Sequence, residues 1–228
     1  MLKPTACRPE AFQFFAEQLP TIEKTESLLM ASVAISMHAL DDVNPESIKL
    51  RVLALGARVA QRLHSDSVDA ALAHLHHTLF EEEGFQGNDN HYYQPLNSYL
   101  PAVLELRRGL PITLALVYKA VGEQVGLRIE GVNAPFHFLA QVATPNNWLL
   151  VDPFFRGSVL TRDEAFDRIE KVSGQRIARN RASLRKASHA EWLMRILANL
   201  QNVFAAHDRV DDLAAMNEFQ QLLEEELF

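Results

Sequence analysis

Residues 106–152 read LRRGLPITLALVYKAVGEQVGLRIEGVNAPFHFLAQVATPNNWLLVD. The first half predicts a helix that starts near Pro111 and closes at Gly126. Its apolar residues recur at helical spacing: Leu114, Val117, Val121 and Val125. The second half predicts three short strands, at 128–134, 136–143 and 147–152, with a turn at 145–147. A long helix followed by sequential antiparallel strands favours an α+β layered fold.

The sequence before this stretch is predicted to be mostly helical. One helix covers 10–18, a second opens at Thr21, and Asn44-Pro45-Glu46 is a start signal for a third. A fourth helix is capped by Ser67 or Asp66 and reaches Glu83. Residues 84–98, GFQGNDNHYYQPLNS, form a long irregular loop, and loops of this length in compact domains are often functional.

The sequence after this stretch returns to helix. Two capping boxes, Thr161-x-x-Glu164 and Ser188-x-x-Glu191, each predict a helix start. The last 40 residues predict two antiparallel helices joined around Asp208. The whole chain is therefore expected to be predominantly helical α+β, with a small antiparallel sheet packed on a central helix and flanked by further helices.

Composition excludes several classes of protein. The chain has 228 residues, 22 Lys and Arg against 29 Asp and Glu, and one cysteine. One cysteine excludes an intramolecular disulfide and a four-cysteine zinc site. An acidic chain has no general attraction for nucleic acid or anionic membranes. Residues 74–77 hold three histidines without the HExxH spacing, so we expect no metal and no cofactor.

The N-terminal segment has no apolar stretch typical of an export signal, and no apolar run reaches the roughly 20 residues of a membrane span. We therefore expect a cytoplasmic protein that has no membrane association.

His137 and Asp152 are the first candidate site residues. A single strand histidine is more often structural than catalytic, and an Asp at a strand end is more often a turn former. A hairpin between their strands places them side by side, where the carboxylate would fix the imidazole tautomer. A nucleophile at a helix start would complete such a site, since free N–H groups there stabilise a developing anion.

Three blocks carry a resemblance to a known family: residues 84–127, then GVNAPFHFLAQV, then LLVDPFFRG. Together they resemble the transglutaminase-like superfamily, and more narrowly its bacterial SirB-type branch. The resemblance implies a papain-like core with a Cys-His-Asp triad, in which His137 and Asp152 match the last two members. The cysteine position falls at Pro111, or at Ile112 or Thr113 if the alignment slips. The single cysteine, Cys7, lies outside the matched blocks.

Thr113 carries the hydroxyl nearest to the missing thiol. A threonine is a poor substitute, because its hydroxyl is hard to deprotonate and its branched side chain is restricted. We expect instead that its hydroxyl bonds back to a carbonyl of its own helix.

Six residues are candidates for binding: Arg107, Arg108, Tyr92, Tyr93, Asn97 and Asn133. Paired arginines beside a helix start suit a carboxylate or phosphate ligand, or pair with acids of the chain itself. The tyrosines line a cleft mouth or hold the long loop against the core.

The organisation inferred is a transglutaminase-like domain at 1–188 and a tetratricopeptide-like helical hairpin at 189–228. The first comprises a helical part at 1–84, a core at 85–160 and a following helix with a basic segment at 161–188. Because the cysteine is absent, we expect a non-catalytic pseudoenzyme that binds a peptide or protein. Two alternatives stay open: a hydrolase or acyltransferase that uses Thr113 or water with His137 and Asp152, and a scaffold with a vestigial cleft. The oligomeric state is left undetermined.

Overall fold

The computed structural model describes residues 3–65 and 67–227, without the side chain of Leu227. Helices dominate this part of the chain and confirm the predicted class. Their bounds are α1 Pro9–Gln18, α2 Thr25–Ala39, α3 Pro45–Ala60, α4 Val68–His76, α5 Leu100–Leu106, α6 Pro111–Gly122, α7 Arg162–Ser173, α8 His189–Ala206 and α9 Val210–Leu227.

An antiparallel sheet follows α6 in the chain. Its strands are β3 Ile129–Ala134, β4 His137–Ala143, β5 Trp148–Asp152 and β6 Ser158–Leu160, paired in that order. A second, parallel pair joins β1 Gln86–Gly87 to β2 Arg108–Gly109. The first three strands of the sheet confirm the prediction. β1, β2 and β6 were not predicted, since two or three residues are too few to show an alternating pattern.

The central helix is α6, and every residue from Pro111 to Gly122 is buried. This fits a helix that is apolar on all sides. One face of the sheet, with Phe138, Ala140 and Val142, shares a core with α6 and α8. The opposite face packs against α7. The sheet is therefore covered on both faces, which places the ends of β4 and β5 within the interior.

Local start signals explain most helix boundaries. The Asn44 side chain accepts from the Ser47 N–H, and both predicted capping boxes are formed. Ser67 caps α4, whereas Asp66 lies outside the described residues. One start was wrong: α2 begins at Thr25 rather than Thr21, because Leu19–Thr21 forms a short 3-10 turn first.

Two further differences from the prediction concern the type of one helix and the presence of a short one. The predicted fourth helix does reach the region of Glu83, but His77–Glu82 is π-helical. The seven-residue helix α5 was not predicted, because its few residues show no helical period.

The C-terminal pair α8 and α9 packs on both the sheet and the first helix. The Trp192 ring lies 4.6 Å from the Phe138 ring, and the Phe219 ring lies 4.9 Å from the Phe15 ring. Side chains of the hairpin belong to the same continuous core as α1, α2 and α6. The division of the chain at 188/189 stays a prediction.

Candidate functional site

His137 and Asp152 meet at one end of the sheet. His137 opens β4 directly after Phe136, whose φ of 59° reverses the chain, and Asp152 ends β5. The carboxylate oxygen Oδ2 of Asp152 accepts from Nε2 of His137 at 2.9 Å. The relative exposure of the two residues is 1% and 0%. The sequence-predicted pair is thus formed, but it is sealed from solvent.

Asp152 is held by three neighbours. Besides His137, its Oδ1 accepts from the Phe154 N–H at 3.2 Å, and Nη1 of Arg168 lies 3.4 Å from Oδ2. The Arg168 guanidinium also lies 4.2 Å above the Phe155 ring. Sequence reasoning missed Arg168, since no spacing links it to Asp152. A buried carboxylate with these partners is anchored, as a structural group requires.

The other nitrogen of His137 is unused. The bond to Asp152 uses Nε2, which leaves Nδ1 as the second ring nitrogen. That atom is buried and has no hydrogen-bond partner among the described residues. The same is true of the Thr113 hydroxyl. The expected bond from Thr113 to its own helix is therefore absent, so that prediction was wrong. Nor are these two atoms bonded to each other.

The start of α6 offers no thiol to His137. Pro111 takes the first helical position, where its missing N–H costs little. Cys7 lies beside α9, and its backbone N–H donates to Oε2 of Glu218. Burial, reinforced by the charges of Glu218 and Glu10, raises the pKa of the Cys7 thiol to about 12. The cysteine is therefore protonated and inert at neutral pH.

The loop at 84–98 packs on Phe154, the aromatic neighbour of His137. The Asn97 side chain donates to the carbonyls of His91 and Tyr92, at 2.6 and 3.0 Å. The Leu110 N–H donates to the Asn97 carbonyl at 3.0 Å, which ties the loop to the start of α6. The Phe154 ring lies 6.0 Å from both the Tyr92 and the His137 ring. Asn97 thus fixes the loop and Tyr92 helps cover the site, whereas Tyr93 is exposed.

The paired arginines are already engaged within the chain. Nε of Arg107 donates to Oε2 of Glu83 at 2.8 Å, and its guanidinium lies 5.0 Å above the Phe85 ring. Arg108 donates to the Gly84 and Arg107 carbonyls, both at 3.1 Å. These contacts support the alternative in which the arginines bind the chain's own groups. A ligand role for them stays a prediction.

The histidines of 74–77 have local roles. Nε2 of His76 lies 2.8 Å from the Tyr118 hydroxyl, and burial lowers the pKa of His76 to about 4. His77 pairs with Glu81 and Glu82. Among the residues that the structure describes, no group of three His, Cys, Asp or Glu side chains is arranged to hold a metal ion.

Asn133 lies beside the site, on the strand paired with β4. Its side-chain oxygen accepts from Nη1 of Arg195, which also donates to the Ala134 carbonyl at 2.6 Å. Sequence reasoning missed Arg195. Glu191 stands four residues earlier on the same helix, a spacing typical of a surface ion pair. In the structure, Glu191 is instead bonded to Arg185 and to the helix cap at Ser188.

Comparison with known proteins places this geometry in a family. Residues 46–198 match the model of the transglutaminase-like superfamily. A UPF0162 protein of Xylella fastidiosa strain 9a5c is 37% identical over 146 residues, which cover 63% of this chain and 52% of that protein. The UPF0162 protein of Pseudomonas aeruginosa is 32% identical over 143 residues, or 63% and 51% of the two chains. The chain thus spans about half the length of these bacterial relatives.

A eukaryotic protein matches half of the chain. The F-box only protein 21 of Pongo abelii is 35% identical over 123 residues, which cover 50% of this chain and 18% of that protein. No solved structure matches. The helices of the described residues include none with the length and apolar character needed to cross a membrane. With a family match over most of its length and a His-Asp pair at the end of a sheet, the chain belongs to the transglutaminase-like superfamily, in its SirB-type branch of bacterial UPF0162 proteins.

Proposed function

We propose that this protein is a non-catalytic member of its superfamily that binds a peptide or protein. The observation that carries the proposal is the sealed His137–Asp152 pair. It is supported by the resemblance, which puts the family cysteine at Pro111, or at Ile112 or Thr113, and none of these is a cysteine. A proline side chain has no nucleophilic atom and no proton to transfer. The imidazole is 1% exposed and packs against Phe154 and Phe155, so it cannot reach a substrate unless the residues that cover it move.

The contacts of the pair support a structural role. Asp152 satisfies His137, the Phe154 N–H and Arg168 at once, so the pair joins β4, β5 and α7. Buried polar groups that are satisfied in this way specify a packing arrangement. A pair retained for packing explains why two triad residues persist beside a position that holds no nucleophile.

The relatives support a binding module. The matched region of F-box only protein 21 makes up 18% of that protein, so the shared domain also occurs within a much longer chain. The C-terminal pair α8–α9 is similar to one tetratricopeptide unit, and such helical pairs are binding surfaces in repeat proteins.

Selection from a displayed library of random peptides tests the proposal. The wild-type chain and His137→Gln, which keeps an amide to donate to Asp152, are used as baits in parallel. We expect the same peptide sequences to be enriched on both baits. Failure to enrich any sequence on the folded wild-type protein would contradict a peptide-binding function.

One observation favours a second candidate, a hydrolase or acyltransferase. Nδ1 of His137 and the Thr113 hydroxyl are both buried without a partner, and such orphaned atoms are a feature of catalytic sites. In this mechanism Nδ1 takes the proton of Thr113 or of a water, and the oxygen attacks the carbonyl carbon of an amide or ester. The C–N or C–O bond then breaks, and the proton on Nδ1 passes to the amine or alcohol that leaves. If Thr113 is the nucleophile, water or a second nucleophile then releases the acyl group from its oxygen. Turnover of amide or ester substrates that disappears in His137→Gln would support it. Its loss in Thr113→Val as well would make Thr113 the nucleophile, and its retention there would make water the nucleophile. Equal turnover in all three proteins would exclude it.

A further inference from the structure

Arg195 is a half-buried cation without an acidic partner among the described residues. Its Nη1 donates to the Asn133 side-chain oxygen and to the Ala134 carbonyl, and its guanidinium lies 5.8 Å from the Phe138 ring. Burial lowers the pKa of Arg195, because desolvation penalises its charge. A desolvated charge that is only partly compensated is costly to keep, unless a ligand completes it.

Several hydrogen-bond donors around Arg195 are unused. Nε and Nη2 of Arg195, Nδ2 of Asn133 and the Tyr92 hydroxyl have no partner among the described residues, and none of them is sealed inside the core. Tyr92 is linked to the strand end that Arg195 contacts, because its ring packs on Phe154, Phe154 packs on His137, and His137 pairs with Ala134. The Arg195 charge also opposes the rise in the Tyr92 pKa that burial causes. Asp89 lies near the Tyr92 phenol as well, but it forms no ion pair with Arg195.

This cluster lies outside the sealed pair and next to it. Ala134, which Arg195 contacts, is the cross-strand partner of His137. Tyr92 covers Phe154, and Phe154 in turn covers His137. Two large apolar side chains flank the cluster and are exposed to solvent: Tyr93 at 73% and Phe136 at 50%. Tyr93 is joined to the cluster through Tyr92, whose ring lies 5.3 Å away, and Phe136 directly precedes His137 on the strand end that Arg195 contacts.

We infer that Arg195, Asn133 and Tyr92 form a carboxylate-binding site for a peptide. A carboxylate has acceptor sites for several donors, and an arginine fork recognises it through parallel N–H bonds. Lysine cannot reproduce this planar geometry. Tyr93 and Phe136 would pack against apolar atoms of the same peptide. The inference rests on the proposed function, because it names where and by which group the peptide is held.

A titration with defined peptides tests the site in the full chain. The probes are an acetylated trialanine with a free carboxyl end, the same peptide with an amidated end, and an amidated version with a central glutamate. Binding is followed by NMR through the Nε–H signal of Arg195 and the backbone amides of residues 92 and 133. We expect saturable shifts with a carboxylate probe and none with the neutral one.

The two carboxylate probes distinguish the source of the ligand group. A response to the free carboxyl end alone identifies a C-terminal recognition site, and a response to the glutamate identifies an internal acidic motif. Either response supports the inference. Equal binding of the neutral amide, or no saturable shift with any probe, overturns it.

Variants assign the binding to Arg195. We expect Arg195→Gln to weaken the carboxylate probe by about tenfold or more, as loss of a charge-assisted pair implies. Arg195→Lys keeps the charge but loses the planar fork, so it should still weaken binding of the carboxylate probe. Tyr92→Phe removes one hydroxyl and keeps the ring, and it should weaken the same binding. Arg176→Gln, an exposed cation outside the cluster, is the matched control and should bind like wild type.

Unchanged binding by folded Arg195→Gln and Tyr92→Phe would overturn the inference. This outcome is separable from failure of the proposed function. If peptides enriched by display bind wild type and Arg195→Gln with equal affinity, the protein still binds peptides, but on another surface.

Discussion

In the proposed function, the residue type at the start of α6 decides whether His137 has a nucleophile to activate. The elements that would orient a thiol are in place: a helix start, a strand histidine and an aspartate. Proline at the helix start suits the backbone, because its fixed φ and missing N–H match the first helical position. It offers nothing for His137 to deprotonate. In this proposal His137 contributes to the stability of the fold, through its bond to Asp152 and the packing around it.

Removal of Asp152 should destabilise the fold strongly. Asp152→Ala leaves Nε2 of His137, the Phe154 N–H and Arg168 without their acceptor in a buried environment. We expect a loss of about 3 kcal/mol or more in the free energy of unfolding, the range found when one partner of a buried ion pair is removed. Urea unfolding followed by circular dichroism measures it.

Asp152→Asn should lose less, since the amide oxygen still accepts one bond. Arg176→Ala is the control and should stay within about 0.5 kcal/mol of wild type, as an exposed substitution does. If Asp152→Ala were as stable as this control, the pair would have no structural role.

Cys7 should be unreactive in the folded protein. With a pKa raised to about 12 by burial and neighbouring carboxylates, only a small fraction of the thiol is ionised at pH 8. We expect the reaction with a disulfide reagent to be slow in buffer and rapid in denaturant. The reactive fraction should rise as the pH rises toward 12. Fast reaction of the native protein at pH 8 would contradict this environment.

At the scale of elements, the loop at 84–98 depends on Asn97. The side chain of this residue makes three hydrogen bonds, to Asn88, His91 and Tyr92, at 2.6 to 3.0 Å. We expect Asn97→Ala to speed hydrogen exchange across 88–97 and to lower stability by about 1–3 kcal/mol, the cost of unsatisfied buried groups. Asn90→Ala, an exposed change in the same loop, should do neither. Equal exchange in both variants would show that the loop is held by other contacts.

The elements differ in how well their sequence predicts them. α6, α7, α8 and strands β3 to β5 follow from apolar periodicity and caps, since their signals are local. β1 and β2 are formed only because the loop returns to the start of α6, which no local pattern shows. The hairpin between β4 and β5 predicts that His137 and Asp152 lie side by side. It does not predict that both residues are buried.

The same distinction applies to the candidate binding residues. Glu83 engages Arg107 across 24 positions of sequence, and Arg195 reaches the β3 edge across more than 60. Such partners are set by how helices pack, whereas sequence spacing reports only neighbours along one helix or strand. Arg195 stands four residues after Glu191, a spacing that indicates an ordinary surface ion pair. Its actual contact with Asn133 could therefore not be predicted from the sequence.

For the whole molecule, the C-terminal hairpin should unfold together with the rest. Its side chains share one core with the N-terminal helices, and Phe219 lies within 6.2 Å of Phe12 and nearer still to Phe15. We expect tryptophan fluorescence and circular dichroism to report one coincident transition, as in two-state unfolding. A chain that ends at residue 188 should lose cooperative folding, because this core is then open to water. A shortened chain that unfolds cooperatively would instead support 189–228 as a separate unit.

The most direct test of a non-catalytic binding role is the fate of a peptide that the protein itself selects. A peptide enriched by display is incubated with wild type and with His137→Gln, and its intact mass and affinity are measured for both. We predict that the mass is unchanged in each incubation and that the two affinities agree within about twofold, or 0.4 kcal/mol. A peptide that is cleaved by wild type and left intact by His137→Gln would contradict the proposal and make His137 a catalytic residue.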